Sequence, residues 1–250
     1  MSELSTMHIE SFDGTRLAVD RIGEGRPVLL LHGLFSDARM NWVKFGHAAK
    51  LAAAGFECIM PDLRAHGESD KPHDPAAYPR DVLAKDVCAL VDVLGLVDYD
   101  LVGFSLGART AARAVVGGLC PRRLVLSGMG LEGLAGWDAR AAFFIDAIDR
   151  FDEVKRGDDA FYAVSFMKSQ KVDRVAARLL LGAMADTAPD ELTPIHIPTL
   201  VLCGEEDRDN GSPTKLAGTL PLGEHVAIPG NHMGSVTRAE MGEALVAFLR

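Results

Sequence analysis

The hydrophobic positions of this chain fall into short continuous runs that alternate with longer stretches of helical spacing. The runs contain few polar residues. Such runs are typical of strands that are buried on both faces of a sheet. They are Val28–Leu31, Phe56–Met60, Leu101–Val102, Leu124–Leu126 and Thr199–Cys203.

The stretches between these runs predict helices and one hairpin. From Asp81 to Leu94 the apolar residues recur every three or four positions, which places them on one helix face. Thr237-Arg238-Ala239-Glu240 has the pattern of a capping box before a final helix. His8–Phe12 and Leu17–Arg21 flank Asp13-Gly14, a dipeptide that closes tight hairpins. We therefore predict an α/β fold, a mainly parallel sheet with helices on both faces, opened by a β-hairpin.

One segment interrupts this alternation. Residues 131–192 show helical patterns but no convincing strand, and the glycine-rich stretch Gly128–Gly136 at their start can bend or flex. Ile197-Pro198 marks the return to the sheet. We predict a core made of residues 1–130 and 193–250, with residues 131–192 as a helical insertion. The helical patterns are Ala141–Phe151, Asp158–Met167 and Val172–Met184.

Composition and charge narrow the possible partners. The chain has 250 residues, 48% of them hydrophobic, and a formal net charge of −9, so its field repels polyanions and anionic lipid surfaces. We expect neither nucleic acid nor membrane as a partner. Met1–Glu10 has no apolar stretch of signal-peptide length, and no apolar run reaches the roughly 20 residues that span a bilayer. A soluble, cytoplasmic protein is expected, and its oligomeric state stays open.

The four cysteines predict neither a disulfide framework nor a metal site. They are far apart, mostly within apolar segments, and they lack C-x-x-C or His/Cys ligand spacing, which favours free buried thiols. His32-Gly33 and His66-Gly67 lie in predicted turns, where hydrogen-bonded structural roles are favoured over a zinc site. We expect no metal and no cofactor. The cysteines are Cys58, Cys88, Cys120 and Cys203.

A candidate nucleophile follows the strand Leu101–Val102. Gly103-Phe104-Ser105-Leu106-Gly107 is a G-x-S-x-G motif that precedes a helix of small residues, which is the strand-turn-helix context this motif requires. The two glycines lack the Cβ atoms that would collide in the strained turn, so the serine hydroxyl is exposed at a helix N-terminus. The alternative is a serine N-cap in an ordinary turn. The context favours Ser105 as a nucleophile.

A serine hydroxyl needs a positioned base to accept its proton. His232 follows the last strand-like segment, Val226–Ile228, and Asp207 follows the strand before it. In isolation, each can be a surface loop residue. Because Ser105, Asp207 and His232 occur in this order, each after a separate strand, they predict a nucleophile, an orienting acid and a general base. Glu132, after the strand ending near Ser127, is the competing acid.

Acyl transfer also requires donors for the oxyanion. His32-Gly33-Leu34-Phe35 follows the strand Val28–Leu31, and its glycine lets the backbone turn a peptide N–H toward the site. The predicted donors are the main-chain N–H groups of Leu34 and Leu106.

Together these motifs resemble the α/β-hydrolase superfamily, in particular its small, capped, esterase-like serine hydrolases. His32-Gly33 resembles the family's oxyanion loop, Asp62-Leu63-Arg64-Ala65-His66-Gly67 its loop after the next strand, and Gly103–Gly107 its nucleophile elbow. Gly204-Glu205-Glu206-Asp207 and Gly230-Asn231-His232 resemble the acid and base loops. Ala65 replaces a glycine that is common in the family. The insertion is similar to the family's cap.

The resemblance implies hydrolysis of carboxylic esters, with thioesters and lactones as further substrates. Ser105 disfavours the relatives that carry aspartate at the elbow, the haloalkane dehalogenases and epoxide hydrolases. Carbon–carbon bond hydrolases and haloperoxidase-like enzymes remain alternatives, as does a non-hydrolytic ligand-binding protein on the same scaffold. The aromatic content of the insertion predicts a mainly apolar pocket for a small acyl ester. The expected pocket residues are Phe35, Phe104, Trp137, Phe143 and Met233.

Overall fold

An eight-stranded sheet forms the centre of the molecule, in a computed structural model that describes residues 4–250. The first three residues of the predicted core therefore lie outside the described part. The strand order is β1-β2-β4-β3-β5-β6-β7-β8; β1 and β2 are antiparallel to their neighbours and the remaining pairs are parallel. The strands are β1 (Ser5–Glu10), β2 (Arg16–Ile22), β3 (Arg26–Leu31), β4 (Phe56–Pro61), β5 (Asp100–Phe104), β6 (Leu124–Ser127), β7 (Thr199–Gly204) and β8 (Gly223–Ile228).

Helices cover both faces of this sheet, which confirms the predicted α/β class. Within residues 4–250, no helix has both the length and the apolar character needed to cross a bilayer. The helices are α1 (His47–Ala53), α2 (Val82–Val93), α3 (Leu106–Val116), α4 (Leu131–Ala135), α5 (Trp137–Asp149), α6 (Phe161–Ser169), α7 (Arg174–Ala183), α8 (Pro189–Leu192), α9 (Pro213–Thr219), α10 (His232–Ser235) and α11 (Ala239–Leu249). A π-helical turn, Arg39–Val43, and a 3-10 turn, Pro75–Ala77, lie between strands.

The continuous apolar run of β3 is explained by burial on both sides. Leu29 and Leu31 belong to the cluster that packs under α2 and α3, whereas Val28 and Leu30 belong to the cluster under α1 and α11. All four side chains are fully buried. Because successive side chains of a strand point to opposite faces, a strand covered on both sides has no position for a polar residue.

Five helices, α4 to α8, occupy residues 131–192, and the structure has no strand between β6 and β7. They have an apolar cluster of their own, which includes Trp137, Ile148, Met167 and Leu181. Phe35, from the loop after β3, belongs to the same cluster. The insertion therefore packs directly on the loop predicted to stabilise the oxyanion.

Three local predictions differ from the structure. The capping box before α11 is wrong: Arg238 is the N-cap residue without a side-chain bond, because the Thr237 hydroxyl donates to the Gly234 carbonyl instead. The glycine-rich start of the insertion contains the short helix α4. All four cysteines are free, but only Cys58 and Cys203 are buried. Cys88 is half-buried, and Cys120 is exposed in the loop that follows α3.

Candidate active site

The turn between β5 and α3 holds Ser105 in a strained conformation. Its φ of 53° and ψ of −109° lie outside the regions that L-residues ordinarily occupy. A Cβ at Gly103 would lie 2.2 Å from the Gly107 carbonyl oxygen, and one at Gly107 would lie 2.1 Å from that of Leu31. Only glycine fits at either position, and the turn leaves Ser105 directly before the first residue of α3.

The three residues predicted to act together lie in hydrogen-bond contact. His232 Nε2 is 3.0 Å from Ser105 Oγ, and His232 Nδ1 is 2.8 Å from Asp207 Oδ2. Asp207 and His232 are both buried. With the Nδ1–H donating to the carboxylate, the Nε2 lone pair is directed at the serine hydroxyl.

The acid and base loops meet because β7 and β8 are parallel neighbours and both end at this edge of the sheet. A Cβ at Gly204, the last residue of β7, would lie 2.1 Å from the Gly230 carbonyl oxygen. Glu206 N–H also donates to that oxygen, at 3.1 Å. The two loops therefore approach at backbone distance, which brings the side chains of Asp207 and His232 together.

Hydrogen bonds keep the Asp207 carboxylate ionised. Burial alone would raise its pKa, but hydrogen bonds from His232 and from the Asp209 N–H outweigh this effect, and the pKa of Asp207 lies below its ordinary value. Both carboxylate oxygens are engaged, since Oδ1 accepts the Asp209 N–H at 3.0 Å and Oδ2 faces His232. The group is thus fixed in position and charged, as an orienting acid requires.

Glu132, the competing acid, has different partners. Its Oε2 accepts the Ser212 N–H at 2.7 Å and its Oε1 accepts Lys215 Nζ at 2.9 Å. These bonds lower the pKa of Glu132 to about 2. Its carboxylate is held by the residues before and within α9, and it makes no hydrogen bond to His232 in the described structure.

The loop after β3 presents its backbone to the same site. None of the hydrogen bonds between described residues uses the N–H of Leu34, and Leu106 opens α3, where a helix has no internal partner for its N–H. The next N–H along, that of Phe35, donates to His66 Nε2 at 3.1 Å. This bond fixes the loop at Phe35, the residue after Leu34, whose N–H is the predicted donor.

The two histidines predicted to be structural support this loop. His32 Nε2 accepts the Leu63 N–H at 2.9 Å, and the His32 and His66 rings lie 5.0 Å apart, edge to face. Burial lowers the pKa of His32 to about 4 and, together with the nearby His32, that of His66 to about 3. Both are therefore neutral near pH 7, which is the form that accepts a backbone N–H.

A cavity of about 870 Å³ opens above Ser105, between the sheet edge and the helical insertion. Nine of the ten predicted site residues line it; the tenth, Asp207, lies behind His232. Phe104 stacks on the His232 ring with centroids 5.1 Å apart. Phe143 and Met233 are partly exposed at the cavity, whereas Trp137 is buried and donates from Nε1 to the Leu181 carbonyl.

Several polar residues of the cavity wall were not predicted, and three of them are Arg109, Arg140 and Asn41. Arg109, one helical turn after Ser105, donates to the carbonyls of Gly133 and Ala185, and its guanidinium lies 4.7 Å from the Trp137 ring centre. Arg140 of α5 donates to the Asp209 carbonyl at 2.7 Å. The spacing of four residues from Ser105 was a usable signal for Arg109. The third residue, Asn41, has no such signal.

One group of side chains could in principle hold a metal ion. Asp207, Asp209 and His232 bring ligand atoms within 4.8 Å of one another, and no other such group occurs among residues 4–250. Asp207 Oδ2 and His232 Nδ1 already lie in hydrogen-bond contact with each other, at 2.8 Å. The geometry therefore suits a proton-transfer pair better than a metal site.

Comparison with known proteins gives the same fold. A family model described as the alpha/beta hydrolase fold matches residues 26–116. The AB hydrolase superfamily protein YisY of Bacillus subtilis (strain 168) is 36% identical over 106 residues, which are 42% of this chain and 38% of that protein. Epoxide hydrolase 2 of Siraitia grosvenorii is 36% identical over 102 residues, 40% of this chain and 31% of that protein. The aligned part thus spans well under half of these curated relatives.

Solved structures match over nearly the full chain. The bromoperoxidase from Bacillus anthracis has a TM-score of 0.79 at 23% identity, and the esterase from Exiguobacterium antarcticum one of 0.78 at 21% identity; each match covers 98% of this chain and 99% of the other. The sheet, the elbow and these matches define the α/β-hydrolase fold. The chain therefore has the α/β-hydrolase fold, and its residues 26–116 match the model of that family.

Proposed function

We propose that the protein is a serine hydrolase that cleaves carboxylic esters through an acyl-enzyme on Ser105. The observation that carries this proposal is the continuous hydrogen-bonded line from Asp207 through His232 to Ser105, with distances of 2.8 Å and 3.0 Å. A line of this geometry can move a proton off the serine as its oxygen attacks a carbonyl carbon. The match of residues 26–116 to the alpha/beta hydrolase family model supports hydrolysis as the reaction class.

In the acylation step, Ser105 Oγ forms a bond to the ester carbonyl carbon while His232 Nε2 takes the hydroxyl proton. The carbonyl oxygen becomes an oxyanion, and we expect the N–H groups of Leu34 and Leu106 to stabilise it. Asp207 stabilises the imidazolium and holds its ring orientation. The carbon–oxygen bond to the alcohol then breaks, and His232 returns the proton to the departing alkoxide.

Deacylation repeats the same transfers with water. His232 accepts a proton from water as its oxygen attacks the acyl carbon, and it then returns a proton to Ser105 Oγ as the acid leaves. No redox step or cofactor enters this sequence. Thioesters and lactones fit the same steps, because each offers an acyl carbon and a leaving group that takes one proton.

The cavity wall supports a small to medium, mainly apolar acyl group. Phenylalanines from the sheet edge and the insertion, Phe35, Phe104, Phe143 and Phe144, line it beside Ser105. The helical insertion that carries two of them covers the site as a cap would. We propose it as the element that selects among acyl groups, and we propose its bounds as residues 131–192.

The alternatives differ in reaction rather than in fold. The neighbouring bromoperoxidase structure keeps haloperoxidase-like chemistry as an alternative, and carbon–carbon bond hydrolysis and non-hydrolytic ligand binding are the others. Some relatives of this chain are named epoxide hydrolases. Epoxide hydrolysis is nevertheless disfavoured, because the resemblance implies an aspartate at the elbow of such enzymes and this chain has Ser105 there. Turnover of esters in the absence of peroxide would distinguish the proposed ester hydrolysis from haloperoxidase-like chemistry.

The test is active-site labelling by a fluorophosphonate, followed by turnover of nitrophenyl esters of graded acyl length. Wild-type protein should label and hydrolyse short esters. Ser105→Ala should abolish labelling, and Ser105→Ala and His232→Ala should each lower kcat by several orders of magnitude, with the double variant scarcely worse because the residues act as a unit. Absence of labelling in folded wild-type protein would favour the ligand-binding alternative.

A further inference from the structure

Arg140 of α5 is a cation on the cavity wall that has no ion-pair partner among residues 4–250. It lines the same cavity as Ser105 and is half-buried. Its one hydrogen bond to another described residue runs from Nη1 to the Asp209 carbonyl. Arg113 and Arg150, by contrast, each contact two carboxylates. A guanidinium has five N–H donors, so most of those on Arg140 are free to bind a ligand.

The surroundings of Arg140 do not compensate its charge. The pKa of Arg113 is raised by its carboxylate partners, whereas the pKa of Arg140 is lowered, because burial outweighs the attraction of Asp209 and Asp207. Arg109, the other described arginine with a lowered pKa, lines the same cavity. A partly desolvated charge without a counter-charge is unfavourable. An anionic ligand in this cavity would supply the missing counter-charge.

Of these two cavity arginines, Arg140 is the one that a ligand can contact. The Arg109 guanidinium donates to two backbone carbonyls, lies 4.7 Å from the centre of the Trp137 ring and is 3.8 Å from the Asp186 carboxylate. Arg109 is also 1% exposed. None of the Arg140 nitrogen atoms is among the described buried polar atoms that lack a partner, so its unbonded nitrogens have accessible surface.

Two contacts fix the place of the Arg140 guanidinium on the cavity wall. On one side it bonds to the carbonyl of Asp209, whose N–H donates to Asp207 Oδ1 at 3.0 Å. On the other side its central carbon lies 5.7 Å from the centre of the Phe144 ring, which packs edge to face on Phe35 at 5.4 Å. Asp209, Phe144 and Phe35 all line the cavity. The guanidinium therefore lies between the acid loop and the loop after β3.

The acidic residues of the cavity wall leave this position open to an anion. Glu132 is paired with Lys215 Nζ at 2.9 Å, and Asp159 and Asp209 have exposed side chains. A guanidinium matches either a carboxylate or a phosphate in a bidentate geometry. Because the protein carries a formal net charge of −9, its field favours the anion of lower charge, which is the carboxylate.

We infer that Arg140 binds a carboxylate of the substrate, so that the preferred esters carry one anionic group on an otherwise apolar chain. This inference rests on the proposed ester hydrolysis and adds a substrate class to it. The phenylalanines of the wall then contact the apolar part of the chain. The carboxylate belongs either to the acyl half, as in a half-ester of a dicarboxylic acid, or to the alcohol half. The chemistry at Arg140 is the same in both cases.

The experiment compares anionic esters with neutral methyl esters of the same shape. For the acyl half, the monomethyl esters of succinic, glutaric and adipic acid are compared with the dimethyl esters by release of methanol. For the alcohol half, 4-carboxyphenyl acetate is compared with 4-(methoxycarbonyl)phenyl acetate by release of acetate. The measured quantity is the anionic-to-neutral ratio of kcat/KM at pH 8, so that intrinsic reactivity cancels between variants.

Arg140→Gln removes the charge but keeps a donor for the Asp209 carbonyl, whereas Arg140→Met removes both. Each variant should lower the ratio by about 10- to 100-fold in one of the two sets of esters, and that set identifies the half that carries the carboxylate. Arg156→Gln is the matched control and should leave the ratio unchanged. Arg156 is exposed before α6, does not line the cavity and makes no hydrogen bond between described residues.

Each other outcome overturns the inference. An equal fall in Arg156→Gln would assign the effect to the overall charge of the helical insertion, and a fall in Arg140→Met alone would assign it to the Asp209 bond. An unchanged ratio, or a wild type that cleaves only the neutral esters, would refute the carboxylate contact and leave ester hydrolysis standing. Fluorophosphonate labelling and thermal unfolding show that the variants are folded. Folded wild-type protein that neither labels nor cleaves any of these esters would refute the proposed function, and the inference with it.

Discussion

The buried histidine pair that supports the loop after β3 should make this protein sensitive to mild acid. His32 and His66 each accept a backbone N–H, and both lose that ability when protonated. Their pKa values in the folded protein are about 4 and about 3, against 6.5 for an ordinary histidine. Because both values are lowered, the unfolded chain takes up protons first as the pH falls. The stability present above pH 6.5 is therefore lost progressively toward pH 4 and below.

The magnitude follows from these values. At pH 5, protonation of each histidine in the unfolded chain lowers the free energy of unfolding by about 2 kcal/mol, since one pKa unit corresponds to about 1.4 kcal/mol. The pair together should lower the free energy of unfolding by about 4 kcal/mol between pH 7 and pH 5. For a chain of this length, that corresponds to a fall in Tm of about 8 to 16 °C.

The assay is thermal unfolding at pH 7 and pH 5 for three proteins. His66→Gln keeps an acceptor for the Phe35 N–H but does not titrate, so its fall in Tm should be about half that of wild type. His8→Gln, at an exposed position on β1, is the matched control and should behave as wild type. Equal falls in all three proteins would refute the assignment of acid sensitivity to this pair.

Three further predictions concern the elbow, the acid and the cavity. Gly107→Ala should lower the free energy of unfolding by about 1 to 3 kcal/mol, because its Cβ would clash with the β3 backbone. Gly182→Ala, in a helix with open space around it, should raise that free energy by about 0.5 to 1 kcal/mol, and thermal unfolding measures both changes. Asp207→Asn should lower kcat by about 10,000-fold and Glu132→Gln by less than tenfold in ester turnover; the reverse order would exchange their roles. Phe143→Ala should shift the preference among acyl lengths while fluorophosphonate labelling persists.

The sequence was most informative where local pattern and tertiary burial agree. The run Val28–Leu31 predicted a central strand because a strand covered on both faces admits no polar residue. The order of Ser105, Asp207 and His232 predicted their meeting, since parallel strands end at one edge of the sheet. The roles of these three residues stay a prediction until turnover is measured.

Other features depend on contacts that no sequence period encodes. The Thr237 hydroxyl donates to a carbonyl of the preceding helix α10 and does not cap α11. The sequence has the capping-box pattern, but the side chain uses its hydrogen bond elsewhere. The place of β4 between β2 and β3 follows from chain crossovers and has no local signal. The Asn41 side chain, in the π-helical turn, accepts the Gly33 N–H of a neighbouring loop, and only the folded chain brings these two segments together.

The Arg109 contacts bear on how the helical insertion could be exchanged by protein engineering. Gly133 lies near the start of the helical insertion and Ala185 near its end, so one side chain of α3 hydrogen-bonds to both ends. Any widening of the cavity mouth must therefore occur farther out, around α5 and α6. A transplanted insertion would have to offer two carbonyl oxygens at these points, or it would leave a buried guanidinium without acceptors one helical turn from Ser105.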